Sequence, residues 1–174
     1  DHGTGYYEAY HENGKIDRKE YFYKGKPYGT WTIYDKEGLI YRQLEYVTFC
    51  DNKTNCNQNK YFDKKGRIIK EKSYYFSIMA KDTINFGDEY KMNIKLESPY
   101  FKDSNSFMLC VIGKYNNCYK FLDSLNYEVL LDTINYHTFE YKIKPKKNGI
   151  NFVRGNIIET IGEGDKIRFK NYFI

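Results

Sequence analysis

A five-residue turn recurs three times in the first half of the chain and limits the possible folds more than any other feature. Tyr10-His11-Glu12-Asn13-Gly14, Tyr34-Asp35-Lys36-Glu37-Gly38 and Phe62-Asp63-Lys64-Lys65-Gly66 each run aromatic, three polar residues, glycine. The glycines are 24 and 28 positions apart, the spacing of a structural repeat. An isoleucine follows each glycine by two: Ile16, Ile40 and Ile68. Glycine adopts positive φ without steric cost, so each copy predicts the tight turn of a β-hairpin.

The flanking residues read as the strands of those hairpins. Gly5-Tyr6-Tyr7-Glu8-Ala9-Tyr10 aligns with Gly29-Thr30-Trp31-Thr32-Ile33-Tyr34 at an offset of 24. Alternation puts Tyr6, Glu8 and Tyr10 on one face and Tyr7 and Ala9 on the other. Return strands are expected over 16–23, 40–47 and 68–76. Lys24-Gly25-Lys26-Pro27-Tyr28-Gly29 is the turn between the first two hairpins. A longer connection, with Cys50 and Cys56, leads to the third.

Composition supports β structure throughout. Of 174 residues 19% are aromatic, with 20 Tyr and 12 Phe, while alanine is nearly absent. Strands favour aromatic and β-branched residues, and helices favour alanine and leucine. Past Phe76 the repeat stops. Short strands are expected at 82–88, 89–97, 107–112, 118–122, 127–131 and 138–144, then a final hairpin over 150–161 and 166–174. That number and spacing point to an immunoglobulin-type β-sandwich. The chain therefore reads as all-β, an antiparallel β-hairpin repeat meander over residues 1–76 and an immunoglobulin-like β-sandwich over 77–174.

The repeats resemble a known family. Gly29, Trp31, Tyr34 and Gly38, with the Gly25-Lys26-Pro27-Tyr28-Gly29 linker, are similar to the MORN-variant repeats often described as YwqK-like antitoxin proteins. The resemblance covers residues 5–76. The first copy has Tyr7 where tryptophan is usual, and the third has Asn57 and Asn59 in place of the leading glycine and the tryptophan. The resemblance implies successive hairpins in one sheet, serving as an interaction or scaffold element. In the second half, Ile84, Gly87, Tyr90 and Leu96, then Gly149-x-Asn151-x-x-x-Gly155-x-Ile157, are similar to Ig-like domains of Bacteroidetes cell-envelope and gliding-motility proteins.

Charge does not select a polyanionic partner. Residues 1–76 carry 14 basic against 11 acidic side chains, and residues 77–174 carry 14 against 12. The excess of +5 is spread evenly, as on a mixed, solvated surface, so nucleic acid is not the expected partner. No stretch approaches the roughly 20 apolar residues of a membrane span.

The four cysteines form two local pairs without nearby histidine, which excludes a zinc site built from them. Disulfides Cys50–Cys56 and Cys110–Cys118 are expected, in an oxidising compartment. The alternative is four thiols. Three Asp-Ser/Thr-apolar triads, Asp82-Thr83-Ile84, Asp123-Ser124-Leu125 and Asp132-Thr133-Ile134, resemble O-glycosylation acceptors of the same phylum. The chain opens at Asp1 without methionine, as it would after removal of a signal or lipoprotein segment. Periplasmic or cell-surface placement in a bacterium follows as the expectation.

No nucleophile elbow, metalloprotease helix or phosphate loop is present. The expectation is a non-enzymatic protein with no cofactor and no metal. Its candidate protein-binding residues are the repeat-equivalent Tyr7, Tyr10, Trp31 and Tyr34, facing a protein partner or a second copy of the chain. A glycan stacked on exposed tyrosine or tryptophan is the alternative ligand, and a nucleic acid met by basic residues interleaved with tyrosine is the other alternative.

Overall fold

A computed structural model describes residues 3–51, 53–102, 106–116, 119, 122, 127–131, 137–145, 147–163 and 166–174. The fold is all-β and antiparallel, and the described residues hold no α-helix. Nor, among them, is any helix long and apolar enough to cross a membrane. The chain divides into two compact units, Asp1–Tyr75 and Phe76–Ile174.

The first unit is one sheet. Its strands are β1 (Gly5–Tyr10), β2 (Ile16–Tyr23), the short β3 (Lys26–Pro27), β4 (Gly29–Tyr34), β5 (Ile40–Thr48) and β6 (Thr54–Tyr61). The order is β1-β2-β4-β5-β6, with β3 paired to β2. The three repeated turns adopt one conformation. In each, the residue after the aromatic closes the loop: His11 N–H to Lys15 C=O at 2.8 Å, Asp35 to Leu39 at 2.9 Å, and Asp63 to Arg67 at 2.9 Å. Each glycine carries positive φ, 80°, 87° and 75° at Gly14, Gly38 and Gly66, and this is why the repeat requires glycine there. Each aromatic then faces the isoleucine of its own copy: Tyr10 with Ile16, Tyr34 with Ile40, Phe62 with Ile68.

The third return strand departs from expectation. The chain leaves the ladder after Ile68 and makes a 3-10 turn, Lys70–Lys72. Buried Ser73 explains the break. Its hydroxyl donates to Ile69 C=O at 2.6 Å and accepts from Tyr61 N–H at 2.9 Å, so a side chain takes the place of a ladder bond.

The second unit carries two sheets. Three strands, β7 (Tyr75–Ala80), β8 (Tyr90–Ser98) and β11 (Thr138–Ile143), are ordered β11-β8-β7. Four more, β9 (Phe107–Gly113), β10 (Tyr127–Leu131), β12 (Gly155–Glu163) and β13 (Lys166–Phe173), are ordered β10-β9-β12-β13. The chain crosses between sheets after β8, after β10 and after β11. The alternation in β8 places Met92, Ile94 and Leu96 in the core with Phe139 and Tyr141 of β11. Cys110, Ile112, Ile157 and Tyr172 fill the core from the larger sheet. Tyr172 meets the Phe76 ring edge-on at 6.2 Å.

One expected strand of this unit is absent and another begins five residues late. Residues 82–88 form a turn in which Asn85 C=O accepts from Asp88 N–H at 3.1 Å and Gly87 takes φ 99°. Residues 150–154 precede β12, because Asn151 Nδ2 ties back to Lys147 C=O at 3.1 Å and Gly149 C=O at 2.9 Å. The expected return strand 118–122 lies mostly outside the described residues.

The local disulfides are also corrected: Cys56 and Cys110 are thiols. Cys56 faces Tyr46 across the β5–β6 ladder. Cys50 is four residues beyond Tyr46, so the two cysteines are separated by about 13 Å of extended chain, roughly twice what a disulfide spans. The Cys56 thiol donates instead to Gln58 C=O at 3.4 Å. Cys110 sits mid-strand between Leu130 and Ile157 with its side chain in the core; Cys118 lies outside the described residues.

Candidate functional site

Register separates the first sheet into two chemically different faces. Tyr6 pairs with Tyr21, Tyr7 with Glu20 and Glu8 with Lys19. Cross-strand partners share a face. One face therefore carries Tyr6, Glu8, Tyr10, Lys19, Tyr21 and Thr32, and the opposite face carries Tyr7, Glu20, Phe22, Trp31 and Leu44.

The four repeat-equivalent residues split between these faces. Tyr10 and Tyr34 lie on the first and Tyr7 and Trp31 on the second. Trp31 is held by packing. Its ring meets Phe22 at 5.1 Å and Tyr46 at 4.9 Å. Its indole N–H donates to Tyr21 C=O at 2.8 Å. This bond falls where β2 and β4 diverge, since their ladder holds only at Arg18–Ile33 and Lys19–Thr32. Tyr21 C=O also accepts from Tyr28 N–H at 2.9 Å, so the indole adds a second donor to that carbonyl. In the third copy Asn59 occupies the corresponding place, opposite Leu44, and its Oδ1 accepts from Arg42 Nε at 2.9 Å.

On the tyrosine face the rings remain in water. Tyr6 is 47% exposed, Tyr10 59% and Tyr21 47%. The Tyr6 and Tyr21 rings contact at 4.9 Å. Glu8 organises the group: it accepts from the Tyr6 hydroxyl, from the Tyr10 hydroxyl at 2.7 Å, and lies 3.4 Å from Lys19 Nζ. The two phenolic bonds, Tyr6 first, hold the Glu8 carboxyl below its usual range. The same bond to Glu8 raises the Tyr10 phenol, and Tyr6 is raised by lost hydration and then by Glu8. The cluster is thus an anionic carboxylate bracketed by two protonated phenols and an ammonium. It offers donors, acceptors and ring faces to a ligand.

The turns at one end of the sheet lean on one another. Asn13 Nδ2 donates to Lys36 C=O at 2.8 Å, and Lys15 Nζ donates to Glu37 C=O at 2.7 Å. These bonds fix the spacing between the first two copies, and with it the spacing between Tyr10 and Tyr34.

Glu8 shares a face with Tyr6 and Tyr10 by alternation alone, whereas Lys19 and Tyr21 were not singled out by the sequence pattern, because they join the site only through cross-strand register. No group of three or more His, Cys, Asp or Glu is placed to hold a metal ion among the described residues. The buried Cys110 thiol is pushed up to about 12 by loss of solvation, so it holds no thiolate at neutral pH. Thr83 of the first Asp-Thr-apolar triad is exposed; the other two triads lie outside the described residues. No family model, curated protein or solved structure matches the chain.

Proposed function

We propose that this chain is a non-enzymatic interaction protein of the bacterial cell envelope, and that the tyrosine face of its repeat sheet binds a protein partner. One observation carries the reading: Tyr6, Tyr10 and Tyr21 gather about half exposed around Glu8 on one face, whereas on the opposite face Tyr7 is equally exposed but Phe22, Trp31 and Leu44 pack. Tyrosine presents a large rigid ring at low entropic cost and keeps its hydroxyl for hydrogen bonding. Rings of this kind dominate the affinity of protein interfaces. Tyr10 and Tyr34 are the repeat residues that belong to this surface, and Tyr7 and Trp31 are not.

The identical conformation of the three turns supports a MORN-variant reading of the first unit. The sheet orders β11-β8-β7 and β10-β9-β12-β13, with their crossings, support an immunoglobulin-like sandwich acting as a spacer or docking domain. Envelope placement rests on the exposed Thr83 triad and on the resemblance of the second unit. Among the cysteines, Cys56 and Cys110 are thiols and Cys50 is disulfide-bonded, so Cys50 alone favours an oxidising compartment.

The test replaces Tyr6, Tyr10 and Tyr21 by serine in the full chain, followed by affinity capture from the envelope fraction of the source cells. A discrete partner should be held by the parent protein and lost by the variant, with the thermal midpoint unchanged within a few degrees. Capture that survives the substitutions places the interface elsewhere, and loss of folding makes the cluster a packing device. A second reading, glycan binding, is favoured by the tilted Tyr6–Tyr21 pair beside a carboxylate and an ammonium. A glycan array with the same variant separates the two.

A further inference from the structure

On the opposite face of the same sheet, where β1 and β2 leave the hairpin, lies an open cavity of about 460 Å³. Its back-face wall is the square of residues made by two cross-strand pairs, Gly5 with Phe22 and Tyr7 with Glu20. Glycine makes the room. A Cβ added at Gly5 would meet nothing within 4 Å.

Glu20 is the unusual member. It is only 9% exposed, and no hydrogen bond reaches its carboxylate. The nearest cation, Arg18 Nη1, is 4.0 Å away, and the Arg18 guanidinium also lies 3.4 Å from Asp17. The Glu20 oxygens are not sealed, since the one sealed side-chain atom without a partner among the described residues is His137 Nδ1; they face the open cavity, where a ligand can meet a carboxylate largely withdrawn from bulk water. Here Glu20 lines a cavity that Tyr7 and Phe22 also line, with Gly3, Thr4, Tyr6 and Gly25 around its rim. Aromatic faces attract cations through their quadrupole, most strongly where water is excluded. One anionic group beside two rings repels anions and gives a neutral group no compensation for lost water. A compact organic cation satisfies all three walls at once.

We propose that this cavity is a binding site for an alkylammonium group, with Glu20 as counter-ion, Tyr7 and Phe22 as ring walls, and Gly5 as the residue that keeps the space open. Tyr6 also borders the cavity, but Glu20, Tyr7 and Phe22 lie on the sheet face away from Tyr10 and Tyr21, and the proposal does not depend on the role of those two. The ammonium has two sources of the same chemistry, the side chain of a lysine in another protein or a free small amine.

Trp31 is the chain's single tryptophan and touches Phe22 at 5.1 Å, so its fluorescence reports occupancy. The full chain is titrated with n-butylammonium chloride and with tetramethylammonium chloride, against n-butanol and sodium chloride as controls. Both ammonium probes should give a saturable change, and the controls none. Glu20→Gln should weaken binding by about tenfold or more, one decade of Kd. Gly5→Leu should abolish binding by filling the cavity, with the circular dichroism spectrum and melting midpoint retained. A blocked pentapeptide with one central lysine assigns the source. If it binds about tenfold more tightly than butylammonium, the ligand is a protein lysine, and equal affinity means a free amine. Butanol binding as well as butylammonium would overturn the proposal. So would Glu20→Gln binding like the parent, or no saturation by either ammonium up to about 100 mM, far above the range of a useful contact.

Discussion

Removing the Glu159 carboxylate should unfold the second unit selectively, and the size of the effect can be worked from its bonds. Glu159 is fully buried in β12. Its oxygens accept from Tyr100 N–H at 2.8 Å, Phe101 N–H at 2.8 Å and the Tyr172 hydroxyl at 2.7 Å. One carboxylate therefore anchors the segment after β8 and the end of β13 to the middle of β12. In Glu159→Ala all three donors lose this acceptor; the Tyr100 N–H keeps only the Tyr172 oxygen at 2.9 Å. An orphaned buried donor costs about 1–3 kcal/mol. Because the donors share one site and relax together, the sum should fall near 3–5 kcal/mol, the range for breaking a buried charged pair. For a unit of this size that lowers the melting temperature by roughly 15–30 °C. Glu159→Gln keeps the volume and one acceptor and should lose about 1.5–3 kcal/mol, while Tyr172→Phe should lose about 1 kcal/mol. The Gln and Phe variants together make a double-mutant cycle even if the alanine variant does not fold. Urea unfolding is followed by two signals: Trp31 fluorescence, which lies in the first unit, and alkylation of the buried Cys110 thiol, read by peptide mass, for the second. The Trp31 transition should keep its midpoint while the second moves. An alanine variant within 1 kcal/mol of the parent would refute the anchoring argument; so would a cycle with no coupling between Glu159 and Tyr172.

Gly155→Ala should also destabilise the second unit, by about 1–3 kcal/mol in the same melt, because overpacking strains a filled site. A Cβ there would stand 2.8 Å from Val111 C=O, a backbone atom that cannot turn aside as Ile112 Cδ1 can. At Glu8 the folded carboxyl is held below its usual range, so its share of stability is present above the ordinary carboxylate range and is lost as pH falls through the depressed value. NMR titration should find that midpoint low, and Glu8→Gln should bring the raised Tyr10 phenol back toward its ordinary value. Cys110, with its thiol pushed up to about 12, should resist iodoacetamide at about pH 8 in the native protein and react once urea unfolds the second unit. Rapid native labelling at Cys110 would contradict its burial.

Much of this fold is legible locally. The three turns are visible because glycine at positive φ is a chemical requirement that leaves its mark in sequence. Met92, Ile94 and Leu96 are visible because one buried face imposes a period of two. The failures occur where a polar side chain competes with the ladder. The Ser73 hydroxyl bonds the backbone of Ile69 and Tyr61, and Asn151 ties 147–151 into a turn at the start of the expected strand 150–161. The cysteines fail for a related reason: short sequence separation suggested proximity, but a hairpin places residues by register. Cys56 lies opposite Tyr46 and well down the ladder from Cys50.

The candidate sites depend on a feature that no periodicity reveals. Tyr10 faces Ile16, and an unbroken ladder from that pair would set Tyr6 opposite Glu20 and Tyr7 opposite Lys19. A bulge intervenes at Asp17: Ala9 faces Arg18, and every pair beyond shifts by one, giving Tyr6–Tyr21, Tyr7–Glu20 and Glu8–Lys19. A one-residue slip moves a strand's whole side-chain set to the other face. With it, Glu20 joins Tyr7 and Phe22 on the packed side, and Lys19 joins Glu8 among the exposed tyrosines. Without it the buried carboxylate would lie among Tyr6, Glu8 and Tyr10, where two carboxylates would repel. The second hairpin repeats the device: Tyr34 faces Ile40 but Ile33 faces Arg42. The bulge after each of the first two turns thus sets which side chains meet across the strands, and deleting Asp17 should exchange Glu20 and Lys19 between the two faces.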